Sequence, residues 1–147
     1  MSSLTFRRQI RVSRGTGELR WLDLVVDGRS LHAAIGSPDL VSVLVVGAAA
    51  GGVAVLDLSD FVDELLLRRP PSLPGGRCRL FVCPECADLG CGAVGLTVEA
   101  DGDHVVWCDL GYQNDYEPQI WFEEYAHVGP FRFRRTDYQA ALTGAIG

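Results

Sequence analysis

The residues best suited to chemistry in this 147-residue chain are its five cysteines, three of which crowd into Cys83-Pro84-Glu85-Cys86-Ala87-Asp88-Leu89-Gly90-Cys91. The Cys83 and Cys86 spacing lets two thiolates grip one tetrahedral zinc ion, and Cys91 is the candidate third ligand. No second Cys-x-x-Cys pair follows, so the fourth ligand has no evident source. Cys78 points to the strand face opposite Cys83, and Cys108 falls about 13 Å along its strand from where Cys91 would pair. His104 reads as a cross-strand partner of Glu99, and His32 and His127 have no assignable place. Two other readings stay open, partly buried thiols that pack as small hydrophobes and a redox pair at Cys83 and Cys86. The redox reading asks for a helix after the pair, which Asp88, Gly90 and Gly92 disfavour.

Other catalytic constellations are weak or missing. All 13 basic residues are arginine, which excludes a Schiff-base lysine, a P-loop lysine and a serine–lysine pair. There is no Gly-x-Ser-x-Gly elbow and no His-Glu-x-x-His helix. Gly47 to Gly52 does not fit the dinucleotide fingerprint, and Asp109, Asp115 and Glu117 miss the calcium-loop spacing. The balance leans away from an enzyme.

Charge is laid out unevenly. The net charge is −6, yet residues 1–35 carry six arginines against three acids, and residues 80–131 carry ten acids and no arginine. Tyr112, Tyr116, Trp121, Phe122 and Tyr125 stand inside that acidic stretch. Tyrosine and tryptophan among carboxylates suit a surface that meets an arginine-rich protein, with Asp109, Tyr112, Asp115, Tyr116, Glu117, Trp121 and Glu123 as its candidate residues. A protein that masks a basic partner, as an immunity protein masks a basic toxin, is the favoured expectation. The same acidity disfavours nucleic acid, whose phosphates it would repel.

The elements that must position these groups suggest a single α+β domain over 1–147, an antiparallel sheet of about five to seven strands with two short helices. Strands are expected at 4–12, 19–26, 40–46 and 77–83, with Asp27-Gly28 as a turn. A hairpin is expected to turn at Asp101-Gly102, with Ala100 opposite Asp103. That register puts Val94, Leu96, Val98, Val105 and Trp107 on one core face and Thr97, Glu99, His104, Val106 and Cys108 on the other. A last strand is expected at 119–125. Helices are expected at 60–69, capped by Ser59, and at 137–146, with Thr136 and Gln139 as a capping box. The uncharged run 40–56 would reach only about 25 Å as a helix, short of a bilayer core, so no membrane span and a cytoplasmic location are expected.

The stretches 73–94 and 105–116, with Gly129-Pro130-Phe131-Arg132-Phe133 and the tyrosine-bearing final helix, resemble a family of small bacterial proteins frequent in high-GC actinobacteria. About half the chain takes part. The resemblance implies no activity. It does imply that Cys78 and Cys108 are not shared positions, so that a metal site common to the family would rest on Cys83, Cys86 and Cys91 alone.

Overall fold

The computed structural model describes residues 1–13, 17–36, 38–48, 58–84 and 92–146. The two N-terminal runs form a long antiparallel hairpin, β1 (Leu4–Ser13) and β2 (Gly17–Val26), paired from Leu4↔Val26 to Ser13↔Gly17. Asp27 and Gly28 both take positive φ, 53° and 80°, which is the backbone a type I′ turn requires. That turn delivers β3 (Arg29–Ser30) back onto β2 and leads directly into α1 (Leu31–Ile35), a short helix absent from the sequence expectation. Ser30 caps α1 by accepting the Ala33 amide, and Gly36 closes it at φ 65°.

The apolar run 40–46 is not one strand. Val41–Ser42 (β4) pairs with the second sheet, whereas Val45–Ala48 (β5) pairs with β2 in the first. The crossing is held at both sides: the Val43 amide donates to the Leu80 carbonyl and the Leu22 amide to the Leu44 carbonyl, each at 2.9 Å. Buried Ser42 fills the gap, its Oγ donating to the Leu22 carbonyl and accepting the Leu44 amide. A run that is apolar on both faces can serve two sheets, and here it does.

The result, among the described residues, is two antiparallel sheets. One has four strands, β1-β2-β3 with β5 also on β2; the other has five, in the order β4-β6-β7-β8-β9. The added members are β6 (Cys78–Val82), β7 (Ala93–Asp101), β8 (His104–Gln113) and β9 (Phe131–Arg134). β6 does not alternate as expected. Cys78, Leu80, Phe81 and Val82 are all at most 1% exposed, because a bulge between Arg79 and Phe81 breaks the period and the strand sits inside the sheet.

The β7–β8 turn is Gly102-Asp103, not Asp101-Gly102, so Asp101 opposes His104 and Ala100 opposes Val105. Gly102 supplies the positive φ, 58°, at the first turn position, as a type II′ turn wants. Moving the turn by one residue shifts each partner by two, so the expected faces survive while the pairs change. His104 therefore faces Asp101 rather than Glu99. In place of a strand at 119–125 there is a bridge at Trp121 and a 3-10 turn at Glu123–Tyr125.

Helix α2 (Leu58–Leu65) begins and ends earlier than expected, with Ser59 inside it, and Leu67 leaves it at φ 61°. Helix α3 (Arg135–Ile146) packs on the Trp107 face of the five-stranded sheet. Tyr138 ties the layers together: its hydroxyl accepts from Trp107 Nε1 at 3.1 Å and donates to the Leu65 carbonyl of α2. Edge-on contacts of Trp107 with Phe133 and Tyr138 add to the burial of three large rings. The core cluster runs from Leu4 to Leu142 and takes residues from both sheets. No helix among the described residues is long and apolar enough to cross a membrane.

Candidate functional site

The acidic, aromatic segment is built on a buried cation. Leu73 and Arg77 pair across Pro74-Gly75-Gly76, whose two glycines take φ 85° and 72°. This turn sends the Arg77 side chain under the end of β7 and β8, where the residue is only 3% exposed. Its Nε donates to Gln113 Oε1 and one terminal nitrogen to the Asp109 carbonyl, both at 2.7 Å. The other nitrogen donates to the Gly95 carbonyl at 2.8 Å and the Gly111 carbonyl at 3.4 Å. Burial lowers its pKa and the nearby Asp109 charge raises it, but an arginine in such surroundings stays a cation.

The acceptors are placed by a bulge. Asp109 takes φ 56°, and two residues of β8 stand opposite one of β7 where the register slips between Gly95 and Thr97. The bulge aims the Asp109 carbonyl at the guanidinium. Gly95 and Gly111 flank the cation because nothing larger fits: a Cβ on Gly95 would lie 2.6 Å from the Cys78 carbonyl, and one on Gly111 about 3 Å from Ile120, Trp121 and Phe122. The Phe122 ring closes the top, 5.3 Å from the guanidinium carbon.

Above this anchor a loop is drawn shut. Tyr112 and Trp121 exchange two backbone hydrogen bonds, at 3.0 and 2.9 Å, and their rings pack at 5.7 Å. Inside the loop Asn114 Oδ1 accepts the amides of Tyr116 and Glu117, each at 3.0 Å, and Gln113 Nε2 reaches the Pro74 carbonyl. A cleft of about 540 Å³ separates the loop from Pro74 and Gly75.

Of the seven candidate partner-binding residues, Asp109, Asp115, Tyr116, Glu117 and Glu123 are exposed, Tyr116 to 77%. Tyr112 and Trp121 are half-buried and hold the loop closed. Phe122, outside the candidate set, is 44% exposed and belongs to this surface. Arg77 was likewise unforeseen; Gly95 and Gly111 inside strands were the available hint, since such glycines mark a close approach.

Of the candidate metal ligands, Cys83 is half-buried just past the end of β6, while Cys86 and Cys91 lie outside the described residues. Among the described residues no group of three His, Cys, Asp or Glu is placed to hold a metal ion. Cys78 is fully buried and donates to the Glu64 carbonyl; burial, then Glu64, push its thiol up to about 12. Cys108 is also pushed up, by burial and by the Asp109 and Glu99 charges. Neither is activated as a nucleophile. The histidines are engaged separately: His32 with the Leu40 carbonyl, His104 with Arg132, His127 with the Ala34 carbonyl.

No protein-family model matches the chain, and no curated protein or solved structure matches it.

Proposed function

We propose that this protein is a non-enzymatic binding domain whose acidic loop, residues 109–123, masks a basic, arginine-bearing protein partner. One observation carries the reading: Tyr116 and Phe122 stand exposed beside Asp115, Glu117 and Glu123 on a loop closed by backbone pairing and anchored beneath by Arg77. A loop held rigid in the free protein loses little conformational entropy on binding. Aromatic rings offer contact area, and carboxylates steer an arginine-rich surface into place.

The test is partner capture from the source cells followed by measurement with the purified partner. Binding should weaken steeply as salt rises, and the Tyr116→Ala/Glu117→Gln double variant should bind about tenfold more weakly or worse. Because both residues are exposed, the variant keeps its thermal stability. Affinity indifferent both to salt and to these substitutions would overturn the reading.

A further inference from the structure

We propose that the cleft between the β2–β3 turn, α1 and the segment entering β9 is a binding site for a small carboxylic acid with a compact apolar body. The cleft encloses about 410 Å³, near the low end for small-molecule sites, which suits a single ring or short chain rather than a nucleotide. One wall comes from the four-stranded sheet with α1, the other from the segment that enters the five-stranded sheet, and the His127–Ala34 hydrogen bond spans them. Junctions of this kind are where concave sites form. The lining is apolar where it is deepest: Val26 and Leu31 are buried, and Val128 and Phe131 are half-buried.

The rim decides the ligand's charge. Asp27 and Arg29 flank Gly28 there, but they are not equivalent. The Asp27 carboxylate is turned toward the chain's start, its Oδ1 accepting the Ser3 amide at 2.8 Å, while the Asp27 backbone amide donates to the Ser3 carbonyl at 3.0 Å. Arg29 is exposed, and its side chain has no hydrogen-bond or ion-pair partner among the described residues. The charged side chain at the mouth that has no partner of its own is therefore a guanidinium, whose planar fork matches a carboxylate. An amine would meet Arg29 unfavourably and share Asp27 with the Ser3 amide already on its Oδ1. A neutral apolar ligand would fill the floor and gain nothing at the rim.

The experiment is an amide NMR titration of the full chain with hexanoate, cyclohexanecarboxylate and 3-phenylpropionate, each beside its matching alcohol and amine. At least one acid should give saturable shifts centred on residues 26–34 and 127–131, and bind about tenfold more tightly than its alcohol and amine. Arg29→Gln should remove that advantage and leave alcohol binding unchanged. Its thermal stability should stay at the wild-type value, because the side chain is exposed and unbonded. The proposal is overturned if none of the acids saturates in the millimolar range, if the alcohols or amines bind as well, or if Arg29→Gln leaves acid binding intact.

Discussion

Three charged side chains are buried among the described residues, Asp23, Glu64 and Arg77, and the first and last of them do opposite jobs. Asp23 of β2 is 1% exposed and accepts from the Ser30 hydroxyl and the His32 amide, partners seven and nine residues along the chain. Arg77 is 3% exposed and donates to Gly95, Asp109, Gly111 and Gln113, partners 18 to 36 residues away. Neither takes part in an ion pair among the described residues. The carboxylate finishes a local structure, the turn into α1, whose end is already set by a serine cap and a left-handed glycine. The guanidinium finishes a distant one: it ties the turn at 73–77 to a bulge, the ends of two paired strands and the base of a loop. A buried charge with near neighbours stabilises an element, whereas one with far neighbours fixes topology.

The comparison breaks most visibly at Arg77. Arg77→Leu leaves four oxygens on β7 and β8 without their donor, and is expected to lower the unfolding free energy by about 3–5 kcal/mol. Arg77→Lys should recover little of this, because one compact ammonium cannot span carbonyls on both strands. Urea unfolding of the two variants measures both effects. Full stability in the lysine variant would mean that charge, not the forked geometry, holds the loop.

Next to Arg77 on β6, Cys78 makes the same region sensitive to alkali. Its thiol stays protonated in the fold up to about 12, whereas the unfolded chain releases the proton near 9.0. The folded pKa is the higher one, so the stabilisation is complete below pH 9 and is lost as pH rises towards 12. The expected slope is about 1.4 kcal/mol per pH unit above 9. Cys108, raised in the same direction, adds to it. Stability curves at pH 8 and 10 should therefore diverge for the wild type and converge substantially for Cys78→Ala. Equal divergence in the two proteins would assign the alkaline loss to other groups.

What the chain reveals of itself follows the same division between near and far. The β1–β2 hairpin is legible because its alternation and its Asp27-Gly28 exit are local signals. The faces of β7 and β8 are legible for the same reason, although the pairing is not. Asp101-Gly102 and Gly102-Asp103 both suit a two-residue turn, and the choice is tied to partners outside the hairpin: β9 pairs with His104, and the Arg135 amide donates to the Asp103 carbonyl. The split of 40–46 between two sheets has no local mark beyond Ser42. At the candidate site the exposed acids and Tyr116 were readable from composition. That Tyr112 and Trp121 would close the loop, leaving Phe122 outside, depends on Arg77, which reads as an ordinary polar residue of an alternating strand.

The smallest expected effect is at the local end of the comparison, and it tests how confined that end is. Ser30→Ala removes the hydroxyl that caps α1 and donates to Asp23, and should cost about 1–2 kcal/mol. The stability change alone does not separate Asp23 from Arg77; its spread does. Hydrogen exchange in Ser30→Ala should quicken at the Ala33 amide, which loses its acceptor, and in the few residues of α1, leaving the amides of Tyr112 and Trp121 as protected as before. In Arg77→Leu the pattern should invert, with Tyr112 and Trp121 opening and α1 unchanged. If loss of the Ser30 hydroxyl also loosens the Tyr112–Trp121 pair, then α1 and the acidic loop are coupled through the shared core, and the division between a local and a topological charge fails.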